Sequence, residues 1–220
     1  MATFLLVHGA WHQGSAWDLV RPLLTDAGHQ VLTPTLDLGP GIGLADHVQA
    51  LTEAIAATPE PATVVAHSYA GIPASLALAA APARHLVLLD AWLTPAGSSM
   101  LDVAPEWFAG WCRDSAEGEP AMLPVPSMRT VGVAEEGPEA AWLAPQLVPH
   151  PFATFTDPAP AAYAPGSAEL HAILCKPSKM PFTAFAEAAG ATCHEIASGH
   201  DAMVTAPDAL AALLLDIATR

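Results

Sequence analysis

The segment 62–71 constrains the fold more than any other part of this chain. A short apolar run with two valines, Ala62–Val65, leads directly into the sequence AHSYAG at positions 66–71, and an alanine-rich stretch follows. A serine in a sharp turn between a strand and a helix needs small residues two positions before and after it, because the chain nearly touches itself there. Ala66 and Ala70 meet this need, although glycine is usual at both places. The pattern indicates that the Ser68 hydroxyl is raised above the end of a strand; the alternative is a buried serine in an ordinary strand-to-helix turn.

A second segment, at the N-terminus, has the features of an oxyanion-binding loop. The apolar run 4–7 ends in His8, Gly9, Ala10 and Trp11, and a polar loop leads from there towards a predicted helix near residue 17. Backbone N–H groups in such a loop can face the serine turn. We therefore expect the N–H groups of Ala10 and Tyr69 to form an oxyanion hole.

A third segment supplies a candidate general base. The strand-like run 192–196 is followed by Ser198, Gly199, His200 and Asp201, and then by a helix start with a cap and an early proline at 205–208. A histidine in a loop after the last strand can swing over the serine. His200 is therefore the expected base for Ser68.

With these three segments in this order, the chain resembles the α/β-hydrolase fold. Within it, the chain is similar to the small esterase and hydroxynitrile-lyase group, whose members begin with a strand, His-Gly-Ala and a Trp-rich loop. The resemblance covers residues 4–214 and is strongest at 8–10, 66–71, 89–91 and 199–201. It implies an α/β fold with a mostly parallel, doubly wound sheet and a small lid insertion, in one domain over residues 1–220.

The pattern of apolar runs agrees with that architecture. Continuous apolar strands separated by helices are typical of a parallel sheet that is buried on both faces. Strands are predicted at 3–7, 30–34, 62–66, 85–90, 171–175 and 192–196, and helices at 17–27, 44–57, 72–80, 181–189 and 207–219.

The segment 96–166 differs from the rest, because it is rich in proline and acidic residues and its aromatic residues include Trp107, Phe108, Trp111 and Trp142. It falls where the resembled fold inserts a cap over the active site. We expect a mostly irregular lid whose aromatic side chains wall an apolar pocket, although a surface excursion that is only anchored by its aromatics is the alternative. The pocket candidates are Trp11, His12, Trp107, Trp111 and Trp142.

The acid of the expected triad is not at the position that is usual in the resembled group. In the resembled group it usually follows the penultimate strand, and Ser178 occupies that position here. Asp90, at the end of the preceding strand, is the expected replacement, since some lipases of this fold place their acid there. The alternatives are that Asp37 is the acid or that the protein has none. In either case Asp90 would be only a capping residue.

His8 and His67 are expected to have structural roles. His8 ends a strand and His67 precedes the serine, so packing beneath the turn is expected for both. His8 and His12 are four residues apart, but no third ligand stands at metal spacing. No phosphate-binding glycine loop is present, so neither a metal nor a cofactor is expected.

Bulk properties limit the classes of partner. Seven basic and 22 acidic residues among 220 give a formal charge of −15, which argues against nucleic acid and anionic membranes as partners. No signal peptide pattern and no apolar run near the roughly 18 residues of a membrane span are found. With three scattered cysteines, a cytoplasmic location is expected. The alanine- and proline-rich composition indicates a bacterial source.

The expected function is that of a serine esterase acting on a small apolar carboxylic ester or lactone, with a homodimer left open. One alternative is a lyase that breaks a C–C bond. Similar hydroxynitrile lyases carry a threonine after the first-strand histidine and a lysine after the catalytic histidine. Gly9 and Asp201 stand at those positions here, which argues against cyanohydrin cleavage. The other alternative is a non-hydrolytic tailoring protein, such as a cyclase or product-binding member, and it is supported by Ser178 and the unusual insertion.

Overall fold

Strands and helices alternate along residues 1–219, the part of the chain that the computed structural model describes. The strands are β1 Thr3–Val7, β2 Gln30–Leu32, β3 Thr63–His67, β4 His85–Leu89, β5 Met122–Leu123, β6 His150–Pro151, β7 Glu169–Lys176 and β8 Thr192–Ala197. The α-helices are α1 Arg21–Asp26, α2 Leu44–Ala56, α3 Gly71–Ala77, α4 Met100–Val103, α5 Glu106–Ser115, α6 Pro138–Leu143, α7 Ala153–Thr156, α8 Phe182–Ala188, α9 Ala202–Thr205 and α10 Pro207–Ala218. Short 3₁₀ helices cover Gly14–Trp17, Ser68–Ala70 and Ala144–Gln146.

Six strands form one central sheet in the order β2-β1-β3-β4-β7-β8, and every neighbouring pair is parallel. Strands β1, β3 and β4 are buried along their whole length. This explains why they read as continuous apolar runs rather than as alternating ones. The predicted α/β class with a mostly parallel sheet is confirmed.

Helices pack an apolar stripe onto this sheet. In α2, Leu44, Leu51 and Ile55 are buried and lie on one side of the helix, and α10 buries Leu210 and Leu214 in the same way. Within residues 1–219, no helix combines the length and the apolar character that crossing a membrane requires.

Several predicted boundaries shift by a few residues. The helix expected at 17–27 is a 3₁₀ turn followed by α1, which has Pro22 in its first turn and ends before Gly28 at φ 87°. Proline suits a first helical turn and glycine the left-handed residue after a helix, so both signals mark this helix correctly. Strand β2 stops at Leu32, two residues earlier than expected, before Pro34, which has no N–H to donate.

The segment between β4 and β7 is more ordered than the sequence suggested. More than half of residues 96–166 lies outside helices and strands, as expected, but four helices (α4–α7) and the antiparallel pair β5–β6 also lie within this segment. Helix α4 begins with a capping box in which Asp102 accepts from the Ser99 N–H at 2.8 Å. Helix α5 has Glu106 in its first turn and Arg113 in its last, which suits the helix dipole.

Candidate active site

Ser68 lies in a strained turn directly after β3. Its φ of 54° is in the left-handed region, which residues with a side chain seldom adopt. Two glycines make room for it. A Cβ on Gly9 would lie 2.9 Å from the Ser68 Cβ, and a Cβ on Gly71 would collide with the Trp92 carbonyl oxygen. The close approaches at this turn therefore require glycine at positions 9 and 71.

Asp90 follows β4 with an equally unusual backbone, at φ 41°. Its carboxylate is 2% exposed, and Oδ1 accepts a hydrogen bond of 2.8 Å from the Cys175 N–H. The other oxygen, Oδ2, lies 3.2 Å from Nδ1 of His200. Since a carboxylate only accepts, this contact assigns the proton to Nδ1 and leaves Nε2 as the basic nitrogen.

The His200 ring is held from a second side by an aromatic face. Phe182 stacks on it with 5.4 Å between ring centroids and 10° between the planes. The ring itself is 21% exposed, so it remains accessible from the cavity. Contact with both Asp90 and Phe182 restricts the ring to one orientation.

Within residues 1–219, neither Asp37 nor Ser178, which stands at the usual acid position, forms a hydrogen bond with the His200 ring. Asp37 is exposed, and its side chain accepts from the Gly39 N–H at 2.8 Å. Ser178 is exposed, and its hydroxyl accepts from the Met180 N–H at 3.2 Å. Of the candidate acids, Asp90 is the one in contact with His200.

Ser68 and His200 line the same cavity, which has a volume of about 480 Å³. Within residues 1–219 the Ser68 hydroxyl makes no hydrogen bond to another group. Hydrogen bonds between a nucleophile and its base are often looser before substrate binds. The hydroxyl is therefore available to a base in the cavity.

The loop after β1 passes beside Ser68. Ala10 lines the cavity, and no group within residues 1–219 accepts a hydrogen bond from its N–H. Trp11, at φ 65°, turns the chain, and its carbonyl accepts from the Val148 N–H at 2.9 Å. Tyr69 follows the serine, and its buried hydroxyl lies 2.9 Å from Nδ1 of His47. The side chain of Tyr69 thus anchors the turn, while its backbone stays beside Ser68.

Beneath the cavity, His12 and Asp201 form a buried pair that the sequence analysis did not foresee. His12 Nδ1 is 2.7 Å from the Ala10 carbonyl oxygen, and its Nε2 is 2.8 Å from Asp201 Oδ2. A carbonyl oxygen only accepts, so Nδ1 carries one proton, and the Nε2–Oδ2 contact holds a second one. Although burial lowers the pKa of His12, the Asp201 carboxylate outweighs it and raises that pKa above its usual range. The pair joins the loop after β1 to the residue next to His200.

His67 and His8 are structural. Burial holds the pKa of His67 well below its usual range, and Nε2 donates to the His200 carbonyl oxygen at 3.2 Å. Burial also lowers the pKa of His8 to about 3. His8 contacts the Gly9 carbonyl oxygen at 2.8 Å and accepts from the Leu36 N–H at 3.0 Å. Both rings are therefore neutral at pH 7.

The aromatic candidates separate into two groups. Trp11, His12 and Trp107 line the cavity, and Trp107 is 59% exposed at its rim. Trp111 packs on Trp11 with 6.0 Å between ring centroids, and Trp142 packs against the core from α6, but neither lines the cavity.

Several lining residues were missed because their positions depend on how distant segments meet. Trp92, Met180 and Phe182 add apolar surface to the cavity, beside Phe108 of the expected lid. Gly132, from the segment between β4 and β7, approaches the His200 backbone so closely that a Cβ there would collide with the His200 nitrogen. Only glycine fits this contact, at φ 78°, and the presence of a glycine at 132 was the one signal that the sequence offered.

Comparisons with known proteins agree with this fold. The model of the alpha/beta hydrolase family matches residues 4–213, and the chain belongs to that family. The carbendazim hydrolyzing esterase of Nocardioides sp. (strain SG-4G) is 30% identical over 238 residues, which cover 96% of this chain and 97% of that protein. The resemblance stated from the sequence is confirmed.

Solved structures show the same fold at lower identity. An extracellular alpha/beta-hydrolase from a Paenibacillus species has a TM-score of 0.82 at 17% identity and covers 98% of both chains. A pyrethroid hydrolase from Sphingobium faniae JZ-2 has a TM-score of 0.77 at 19% identity, covering 99% of this chain and 97% of that one. Polyneuridine aldehyde esterase has a TM-score of 0.74 at 23% identity and covers 99% of both chains.

Proposed function

We propose that this protein is a serine esterase that hydrolyses a small, apolar carboxylic ester or lactone. The observation that carries the proposal is the 3.2 Å contact between His200 Nδ1 and Asp90 Oδ2, beside a cavity that Ser68 also lines. The relative named as a carbendazim hydrolyzing esterase and the neighbour named as a pyrethroid hydrolase support an activity of this class.

In the proposed reaction, the Ser68 oxygen attacks the ester carbonyl carbon, and His200 Nε2 takes the hydroxyl proton. The C–O bond to the alcohol then breaks, and His200 returns the proton to the leaving alkoxide. Water, deprotonated by the same nitrogen, then attacks the acyl carbon, the bond from that carbon to the Ser68 oxygen breaks, and His200 returns the proton to Ser68 as the carboxylic acid leaves. Asp90 remains ionised throughout and stabilises the imidazolium, while the Cys175 N–H holds its other oxygen.

The negative charge on the carbonyl oxygen needs donors that are already in place. The N–H groups of Ala10 and Tyr69 are the proposed donors, because Ala10 lines the cavity with its N–H unused and Tyr69 follows the serine. Gly9 supports this role, since a side chain there would push the loop away from Ser68.

We propose that residues 96–166 act as a lid. Trp107 and Phe108 of α5 contribute apolar surface to the cavity. The same segment holds two loops of the site, since the Val148 N–H donates to the Trp11 carbonyl at 2.9 Å and the Asp201 N–H donates to the Val131 carbonyl at 3.1 Å. An apolar wall that contacts both loops suits a small apolar substrate.

Two contacts weigh against the alternatives. The non-hydrolytic hypothesis drew on the missing carboxylate at Ser178, and Asp90 offers a carboxylate to His200 from another strand. Asp201, which replaces the lysine of similar lyases, has its carboxylate buried against His12. A cytoplasmic location stays part of the proposal, supported by the free thiols of Cys112, Cys175 and Cys193.

A fluorophosphonate probe tests the proposal most directly, with Ser68→Ala as the variant and Ser178→Ala as the matched control from the same cavity wall. We expect one adduct that maps to Ser68 in the wild type and in Ser178→Ala, and none in Ser68→Ala. Hydrolysis of a short p-nitrophenyl ester should follow the same pattern. Labelling of another residue, or no labelling of folded protein, would contradict the proposal.

A further inference from the structure

A second group of side chains lies at the opposite edge of the sheet from Ser68. His85 begins β4, and Glu169 and His171 lie at the start of β7. His85 pairs in register with Glu169, and residues two apart on a strand share a face, so all three side chains project to the same side. A strand rises about 3.3 Å per residue, which puts His85 about 16 Å from Asp90.

The separations between the ligand atoms are close to those around a tetrahedral metal ion. His171 Nε2 lies 3.4 Å from Glu169 Oε1, and His85 Nδ1 lies 3.7 Å from Glu169 Oε2. One ligand atom from each residue falls within 4.8 Å of the other two. Zinc bonds of about 2.0–2.2 Å in a tetrahedron place ligand atoms about 3.3–3.6 Å apart. The two nitrogen–oxygen separations run to different oxygens of Glu169, so a small rotation of this exposed carboxylate would be needed to bring all three groups onto one ion.

Burial and hydrogen bonding support the same conclusion. Both histidine side chains are buried, and within residues 1–219 no group forms a hydrogen bond to Nδ1 of His85. A buried nitrogen without a hydrogen-bond partner is costly, and a cation bound between it and the carboxylate would remove that cost. Glu169 is 55% exposed, so the carboxylate corner of the site opens to solvent.

The group beside His171 favours metal binding, whereas the group beside His85 competes with a metal for that ring. His171 Nδ1 lies 3.4 Å from His194 Nε2, which resembles the outer contact that orients most metal-bound histidines. Arg84 Nε donates to His85 Nε2 at 3.2 Å, which keeps the proton on Nδ1. A metal on Nδ1 would move that proton to Nε2, and the exposed Arg84 side chain would have to turn away.

We propose that His85, Glu169 and His171 bind a divalent transition metal of the zinc type. The ion would link β4 to β7 at the amino-terminal edge of the sheet. Imidazole nitrogens with one carboxylate suit zinc, whereas calcium and magnesium prefer a full set of oxygen ligands. No metal was expected from the sequence, where only His8 and His12 were weighed as ligands, so this proposal departs from that expectation.

The cluster of His12, His67 and Asp201 also has ligand atoms within reach of one ion. The two nitrogens that face Asp201 already have partners, because His12 Nε2 contacts Asp201 at 2.8 Å and His67 Nε2 contacts the His200 carbonyl oxygen at 3.2 Å. A proton already fills the position that an ion would take there. The His85 cluster, with its longer separations, is the better site.

Equilibrium dialysis of the untagged full-length protein against Zn²⁺ tests the proposal. We expect Glu169→Gln to bind at least about tenfold more weakly, so that one zinc per chain is lost relative to the wild type. Glu195→Gln is the matched control, since this exposed carboxylate lies on the neighbouring strand β8 and contacts Lys176. Arg84→Met should bind zinc more tightly than the wild type, because it removes the competing donor and a positive charge.

Thermal unfolding gives a second readout that does not depend on esterase activity. Zn²⁺ should raise the unfolding temperature of the wild type and of Glu195→Gln, and should leave Glu169→Gln unchanged. Equal zinc content in the wild type and Glu169→Gln would overturn the proposal. So would binding that is lost in Asp201→Asn instead, or equal stabilisation by Mg²⁺ and Ca²⁺.

Discussion

The two ends of strands β4 and β7 carry polar groups that are organised in different ways. At the carboxyl ends, Asp90 is fixed by contacts of 2.8 Å and 3.2 Å. Within residues 1–219, the non-glycine residues with positive φ are Trp11, Ser68 and Asp90, and all three follow strands at this end. At the amino ends, His85 and His171 approach Glu169 only to 3.7 Å and 3.4 Å, on regular strand backbone.

The difference shows what each end requires. Proton transfer needs atoms held at hydrogen-bond distance, and the strained backbone at the carboxyl ends supplies that orientation. At the amino ends, the register between β4 and β7 brings His85, Glu169 and His171 together, and the separations between their side chains suit a bound ion. Substitutions at the two ends should therefore differ greatly in their effect on catalysis, and four variants test this from the largest expected effect to the smallest.

His200→Ala should have the largest effect. Without the ring, no base takes the Ser68 proton, and we expect kcat for a p-nitrophenyl ester to fall about 10⁶-fold. The unfolding temperature should change little, because the ring is partly exposed. His194→Ala, on the other side of β7 from β4, is the control and should retain turnover. Activity near that of the wild type in His200→Ala would exclude the proposed base.

Asp90→Asn should follow, with a loss of about 10⁴-fold in kcat. An amide at this position presents an N–H to one partner, so His200 would adopt the wrong tautomer while its position is retained. Asp37→Asn is the matched control, since Asp37 was the other candidate acid and its side chain contacts Gly39. A loss of turnover in Asp37→Asn but not in Asp90→Asn would contradict the assignment of Asp90 as the acid.

Asp201→Asn should have an intermediate effect on rate and a clear one on stability. The substitution leaves His12 buried without its partner, and breaking a buried charged pair costs about 3–5 kcal/mol. Asp201 acts as a positioning residue through the loop of Ala10, so we expect kcat to fall about 10–100-fold with little change in KM.

The pH dependence of stability tests whether His12 and Asp201 form a charged pair in the folded protein. Because the folded pKa of His12 is raised, the stability it contributes is fully present below pH 6.5 and is lost as pH rises through the folded pKa. As pH rises from 6.5 through the folded pKa of His12, the free energy of unfolding should therefore fall more in the wild type than in Asp201→Asn. Parallel stability curves for the two proteins would show that the pair does not share a proton as proposed.

Sequence could predict the scaffold because its signals are local. Each of Ser68, Asp90 and His200 follows a strand, and turn residues of recognisable type stand beside it. The meeting of Asp90 with His200 was expected from neighbouring parallel strands, and the contact is present at 3.2 Å. The boundary errors arose where prolines end or start elements, as at Pro22 and Pro34.

Other features depend on segments that meet only in three dimensions. The His12–Asp201 contact joins residues 189 apart in sequence, and no local pattern specifies it. The His85–Glu169 pair depends on the register between β4 and β7, which residue spacing does not encode. Helix α5 was missed because the surrounding prolines and acidic residues obscured a helix of ten residues.

Glu169→Gln should have the smallest effect on catalysis and so completes the comparison. Glu169 is 55% exposed, and its contacts with the two histidines are longer than a strong hydrogen bond. In the absence of added metal, we expect stability to change by less than about 0.5 kcal/mol, as for most surface substitutions. Ester turnover should stay within about twofold of the wild type, because the groups that act on substrate lie at the other end of the strands. Parallel assays of Glu169→Gln and Asp90→Asn on the same ester measure this directly. A loss of turnover in Glu169→Gln comparable to that in Asp90→Asn would mean that the two ends are coupled through β4, and the division between them would have to be abandoned.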